Sequence, residues 1–305
     1  RVTVPTKKAA EVFPQITERS PIPVVADIHF DYRLALAAAD GGAACLRINP
    51  GNIGSQDRVK AVVDKAGERG CCIRIGVNGG SLEKDLLEKY GHPTPEAMVE
   101  SALRHLELLE KEGFTNTKVS LKASDVIRTV QAYRLLAKQV DYPLHLGITE
   151  AGTSFGGTIR SSIGLGILLA EGIGDTIRVS ITGEGTEEVR IGHQILRDLG
   201  LRAGGFRMVS CPGCGRLQVD HHRLAAAIEA GLREINHEHI TYAVMGCAVN
   251  GPGEAREADL GVAGGNGEGL IFLKGQLIRR VKETEIVTAF LEEARKLKAA
   301  RVPQA

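Results

Sequence analysis

Two cysteines stand in "RMVSCPGCGR", Cys211 and Cys214, and a third, Cys247, in "MGCAVNGPGE"; all three occupy glycine-rich segments behind short apolar runs. A Cys-x-x-Cys pair serves three common chemistries. A redox pair needs no third thiol. A zinc site wants four nitrogen or sulfur ligands, which His237 or His239 would complete. An iron-sulfur cluster wants thiolates on loops whose small residues let backbone N–H groups reach the sulfurs, and "CPGCG" and "GCAVNGPGE" suit that need. Cys45, Cys71 and Cys72 fall in another rhythm and read as small buried residues, so the fourth ligand is expected not to be sulfur. Glu254, at the end of the loop begun by Cys247, is the nearest candidate. A carboxylate on one iron is more easily displaced than a thiolate, which would open that iron to a substrate oxygen.

A second constellation lies upstream. "VADIHF" carries Asp27 and His29, "CLRINPGN" Arg47 and Asn49, "IRIGVN" Arg74 and Asn78, and "KVSLKASD" Lys122. "LHLGITEAG" adds His145, Thr149 and Glu150, and "TIRVSITGE" adds Arg178 and Ser180. Arg47, Arg74, Lys122 and Arg178 sit in or at the end of runs that otherwise read as buried strand, where an unpaired charge is costly. Gathered on one mouth they suit a multiply anionic ligand, with guanidinium forks matched to phosphate oxygens. The competing reading is a structural charge network with Asp27 and Glu150, but carboxylates at these positions are fewer than cations. His29, His145 and Glu150 are candidates for proton transfer at such a mouth, although a histidine also serves structure by hydrogen bonding.

These positions need a scaffold that brings strand ends together. The chain repeats a short β-branched run, a polar loop and a stretch of helical periodicity. Strands are expected at Val2–Pro5, Pro23–Asp27, Cys45–Asn49, Ile73–Val77, Lys118–Lys122, Leu144–Thr149 and Thr176–Ser180, with an eighth run at Phe206–Ser210. Helices are expected at Asp57–Arg69, Thr94–Glu112, Ser124–Gln139 and Glu187–Leu199. Such alternation implies parallel strands joined by right-handed crossovers, an α/β class whose site lies at the carboxyl ends of the strands. From Phe206–Ser210 the rhythm changes to cysteine loops, the tract "GVAGGNGEG" and the hairpin-like "LIFLKGQLIRRV". A barrel over 1–200 and a smaller domain over 201–305 are therefore expected.

Composition narrows the partners. Lys and Arg number 38 against 37 Asp and Glu, a formal charge of +1, so no global field draws the chain to nucleic acid or a membrane surface. Trp is absent and aromatics are 4%, which leaves few faces for base stacking. "RVTVPTKKAA" shows no apolar signal region and no apolar run approaches a membrane span, so the chain reads as cytoplasmic. Six cysteines in 305 residues do not resemble the disulfide framework of a small secreted domain.

"VADIHFDYRLAL", "CLRINPGNIG", "IRIGVNGGSLEKDLLEKYG", "SLKASD", "LHLGITEAG", "SCPGCGR" and "GCAVNGPGEA", in this order, closely resemble the bacterial 4-hydroxy-3-methylbut-2-enyl diphosphate synthases of the methylerythritol phosphate route to isoprenoids. The resemblance runs from Arg1 to beyond the "LGVAGGNGEG" tract. It implies a TIM-type barrel followed by a small α+β iron-sulfur domain resembling sulfite-reductase modules. It implies reductive opening of 2-C-methyl-D-erythritol 2,4-cyclodiphosphate, a hydroxyl leaving as water with two electrons. One four-iron four-sulfur cluster would be held by Cys211, Cys214 and Cys247, with Glu254 on the fourth iron. Arg47, Arg74, Lys122 and Arg178, helped by Asn49, Asn78 and Ser180, would hold the diphosphate, with Glu150 near the reacting carbons and Asp27, His29 and His145 close by. A homodimer and a flavodoxin or ferredoxin as electron donor are also implied. Family members carry a further segment ahead of the position matching Arg1, with the first barrel strand and another phosphate-binding arginine, so seven barrel strands are expected here. Two other functions compete: a zinc-stabilised phosphate-ligand binding protein without redox chemistry, and a siroheme-dependent reductase module.

Overall fold

The computed structural model describes residues 1–29, 31–49, 53–235, 240–247, 249, 253 and 257–301. The chain divides into two compact units, Arg1–Leu199 and Gly200–Ala305.

In the first unit, β1 (Val2–Thr3), β2 (Val25–Asp27), β3 (Cys45–Ile48), β4 (Cys72–Asn78) and β5 (Thr117–Lys122) pair in parallel and in chain order. A parallel pair, β6 (His145–Leu146) and β7 (Thr176–Ile177), continues the series, joined to β5 by the bridge Val119–Leu144. Helices fill the crossovers, among them Gln56–Arg69, Pro95–Lys111, Val126–Leu136 and Gly185–Asp198. Their ends follow local chemistry. Thr94 caps the amide of Ala97 while Pro95 starts the helix, and Gly70, at φ 65°, ends the one before β4.

Alternation along the strands sets two faces. Ala26, Leu46, Ile48, Ile73, Ile75, Val119 and Leu121 are buried in the apolar core. Each fully buried Ile or Leu contributes about 1.5–3 kcal/mol. The alternate positions, Asp27, Arg47, Arg74, Ser120 and Lys122, face the other way and line one cavity. Barrel interiors are ordinarily packed with branched apolar residues; this one is ionic.

The runs expected to be strand at Leu144–Thr149 and Thr176–Ser180 shorten to two residues each. The two segments still run close together beyond the ladder: a Cβ on Gly147 would stand 2.8 Å from the carbonyl oxygen of Arg178. Beyond Leu146 the ladder gives way to single bonds, Arg178 N–H to the Leu146 carbonyl and Thr149 N–H to that of Ala123.

The second unit is one five-stranded mixed sheet. β8 (Phe206–Ser210), β9 (Ile240–Met245) and β10 (Leu260–Gly265) are parallel, and β11 (Glu268–Leu273) and β12 (Gln276–Lys282) follow as antiparallel hairpins. Asn266–Gly267 and Lys274–Gly275 have positive φ at both positions, as tight hairpin turns require. The hairpin-like segment thus forms β11 and β12. Helices His221–Ile235 and Ile286–Arg301 contribute Ile228, Leu232 and Phe290 to the core on one face, where Tyr242 meets Phe206 and Phe290 edge-on.

Candidate functional site

The first unit holds a cavity of about 180 Å³ lined by Arg1, Asp27, His29, Arg47, Arg74, Asn78, Ser120, Lys122, Thr149 and Arg178. Its side chains come from seven successive strands, β1 to β7, and the segments that adjoin them. Register explains the gathering: Asp27 pairs with Arg47 and Arg47 with Arg74, while Asn78 pairs with Lys122, so equivalent positions stand side by side. Gly76 makes room, since a Cβ there would lie 2.5 Å from Nε of Arg47.

Charge in this cavity is unbalanced. Five cations face one carboxylate: Asp27 takes Arg47 at 3.2 Å and Arg1 at 3.3 Å. Arg74 and Lys122 are each only 5% exposed, and Nε of Arg74 meets no hydrogen-bond acceptor among the described residues. Burial first, and then Arg178, Arg74, Arg1 and Arg47, push the Lys122 ammonium well below its ordinary range. Arg74 and Arg178 are lowered likewise, chiefly by burial. Among the described residues the competing charge network amounts to Asp27, paired with Arg47 and Arg1, and Glu188, which acts on Arg178. The remaining cations destabilise one another, and a multiply charged anion relieves that repulsion.

The other sequence candidates stand around this cavity rather than in its wall. His145 is buried, with Nδ1 2.8 Å from Thr176 Oγ1 and Nε2 without a partner among the described residues. Burial, then Lys122 and Arg74, drive its imidazole far below the usual range, so it is neutral. A neutral ring accepts or donates a hydrogen bond but has no proton to give as an acid. Glu150 is exposed, at φ 52°, a left-handed backbone that costs energy for a residue with a Cβ. Asn49 is buried at the end of β3, and Ser180 is half-buried past β7.

Three contributors escaped the sequence reading. Ser120 continues the alternation of "KVSLK" and donates to the Ile75 carbonyl, so its signal was present. Arg1 precedes β1 and reaches Asp27 through a long side chain. Tyr133 is fully buried, accepts from Leu121 N–H and donates to the His145 carbonyl, tying a helix to two strands. No local pattern marks it.

In the second unit a cavity of about 350 Å³ is lined by Cys211, Cys214 and Cys247 with Ser210, Gly213, Arg216 and Gly246. β8 and β9 are parallel neighbours, so the loops leaving their carboxyl ends are adjacent, the first bringing Cys211 and Cys214 and the second Cys247. Gly213 is left-handed at φ 86°, which turns the chain between Cys211 and Cys214. Gly246 N–H donates to the Cys211 sulfur at 3.4 Å, and a Cβ on Gly246 would collide with Leu217 at 2.1 Å. Hydrogen bonds from the Arg216 backbone and side chain lower the Cys214 thiol. His221, also unforeseen, holds the loop through Nε2 at 2.7 Å from the Cys211 carbonyl oxygen.

Among the described residues no three Cys, His, Asp or Glu side chains converge on one ion. Each thiolate of a four-iron cluster binds a different iron, so its ligands surround a cube instead of meeting at a point. Three thiols on one cavity wall, with a backbone N–H on a sulfur, fit that group. Glu254, and the alternative zinc ligands His237 and His239, lie outside the described residues.

Comparison with known proteins gives two family-model matches: the GcpE TIM-barrel domain over residues 1–193 and the GcpE protein C-terminal domain over residues 207–296. A Geobacter sulfurreducens protein is 58% identical over 301 residues, 99% of this chain and 85% of its own length. A Maridesulfovibrio salexigens protein is 59% identical over 96% of this chain and 82% of its own, and one from Clostridium acetobutylicum 55% identical over 96% and 84%. All three are named 4-hydroxy-3-methylbut-2-en-1-yl diphosphate synthase (flavodoxin). No described helix is long and apolar enough to cross a membrane.

Proposed function

The chain belongs to the GcpE family of iron-sulfur oxidoreductases, and we propose that it reductively opens and dehydroxylates 2-C-methyl-D-erythritol 2,4-cyclodiphosphate to 4-hydroxy-3-methylbut-2-enyl diphosphate in the cytoplasm. Two electrons enter and one hydroxyl leaves as water. The observation that carries the substrate assignment is the buried excess of cations around Lys122.

In this reading Arg47, Arg74, Lys122 and Arg178 bind the two phosphates, with Asn78 and Thr149 donating to their oxygens and Asn49 and Ser180 supporting the rim. Asp27 holds Arg47 and Arg1 in place. Opening the ring leaves negative charge on a phosphate oxygen, and the same fixed cations stabilise it as it develops. Glu150 and His29, on the exposed side, deliver protons or polar contacts to the departing hydroxyl; neutral His145 orients through Thr176.

Cys211, Cys214 and Cys247 would hold one four-iron four-sulfur cluster, with Glu254 as the displaceable fourth ligand. When bound, that cluster supplies electrons one at a time, received from a flavodoxin or ferredoxin. A homodimer completes the proposal, and sedimentation checks it. The deciding test is anaerobic purification with iron, sulfide and zinc assays, then turnover of the cyclic diphosphate with a one-electron reductant. About four iron and four sulfide per chain with product formation supports the reading; stoichiometric zinc without sulfide overturns it.

A further inference from the structure

Cys45 opens β3 and Cys72 opens β4, and the two are register partners on adjacent parallel strands. Each stands two residues before an arginine of the ionic cavity, Arg47 or Arg74, so both side chains project to the interior face at the amino ends of the strands. Packing agrees. Cys71, with the opposite parity, belongs to the apolar core, whereas neither Cys45 nor Cys72 does.

Neighbouring strands lie about 4.8 Å apart, and a disulfide spans roughly 4.4–6.8 Å between Cα atoms. Their register pairing places the two thiols side by side on the same face of the sheet. Lys118, the register partner of Arg74 on β5, brings its ammonium close enough to act on Cys72. The Cys45 thiol and the Lys118 ammonium together lower Cys72 to about 6, and Cys45 is raised in turn. Cys45 is buried, while Cys72 is half-exposed. A thiolate that solvent reaches, beside a cation and a second thiol, is the arrangement of a reversible oxidation site.

We propose that Cys72 and Cys45 form a peroxide-sensitive dithiol at the amino-terminal end of the barrel, with Cys72 attacking and Cys45 resolving. The Cys72 thiolate attacks one oxygen of hydrogen peroxide; the S–O bond forms, the O–O bond breaks, and the departing hydroxide takes a proton and leaves as water. The Cys45 sulfur then displaces hydroxide from the Cys72 sulfenic acid, its own proton completing a second water. Each sulfur has lost one electron, peroxide has gained two, and the product is a Cys45–Cys72 disulfide that dithiols reverse. This site is separate from the cysteine loops of the second unit and does not depend on their cluster.

The test uses the whole protein treated with hydrogen peroxide, alkylated, digested with trypsin without reduction and read by mass spectrometry. The expected product links the peptide Leu34–Arg47 to Gly70–Arg74, disappears on reduction with dithiothreitol, and fragments to place the bond on Cys72. Cys72→Ser loses the link, Cys71→Ser keeps it, and Cys45→Ser leaves a Cys72 sulfenic acid that dimedone traps. A link through Cys71, alkylated Cys45 and Cys72 with no link, or a Cys72 sulfinic acid beside free Cys45 would each overturn the proposal. The wild-type mapping decides the matter even where a variant fails to fold.

Discussion

The barrel cavity and the cysteine cavity are built in opposite ways. The first is walled by strand residues in fixed register and carries buried cations that outnumber the carboxylates among its described lining residues. The second is made by two loops leaving β8 and β9, is larger, and presents soft donor atoms, one of them exposed on Cys214. A site with surplus charge on rigid elements waits for a ligand of opposite charge; a site with thiols on loops waits for a group that ties the loops together. The contrast teaches that substrate and cofactor sites are told apart by where their energy is missing.

The largest effect separates the two sites outright. Cys214→Ser is expected to take iron and sulfide from about four each per chain to near zero and activity with them, while diphosphate binding to the barrel, followed by calorimetry, persists. Loss of diphosphate binding in that variant would break the comparison.

Next comes Lys122→Met, which removes a buried cation from among cations. Diphosphate affinity should fall by 2 kcal/mol or more, roughly 30-fold or greater, as expected for a buried charge contact. The melting temperature of the ligand-free protein should rise, because the unfolded chain keeps Lys122 protonated at neutral pH and folding works against that charge. A lower melting temperature would show the ammonium to be paired after all. Gly76→Ala is a milder version: the new methyl meets Arg47 Nε at 2.5 Å and displaces the guanidinium. About 1–2 kcal/mol of affinity should be lost, and retention of full affinity would remove Arg47 from the site.

The smallest effect is in protons. Free Lys122 is lowered by burial and by neighbouring arginines, and a bound dianion raises it again. Binding therefore takes up protons, and affinity falls as pH rises through the lowered value, by at most about tenfold per pH unit for one proton. Titration calorimetry in buffers of different ionisation enthalpy reads the uptake directly, and proton release on binding would reverse the assigned sign.

Much of the barrel cavity was readable because side-chain direction in a strand alternates by position. Once Arg74 in "IRIGVN" and Lys122 in "KVSLK" are placed on strands, each shares a face with residues two positions away, and Asn78 follows by the same count. Ser120 follows by it too and was passed over. Tyr133 and His221 had no such signal, since each acts through a contact with a remote backbone carbonyl. Glu150 reads as an acid at a strand end, but β6 stops at Leu146, so the residue falls in a loop with a left-handed backbone. Cys45 and Cys72 read as packing residues because size and apolarity are local properties, while a thiol partner is not.

The sequence by itself determined the repeated strand-and-helix order, the residues on each strand face and the thiols in glycine loops, because periodicity and turn chemistry act over a few residues. Tertiary structure alone decided which faces meet. Arg47, Arg74, Lys122 and Arg178 are far apart along the chain, and only strand register and curvature place their charges in one desolvated space. The pairing of Cys45 with Cys72 and the adjacency of the two cysteine loops have the same origin: neighbours across a parallel ladder are chosen by the crossover, not by the residues beside them.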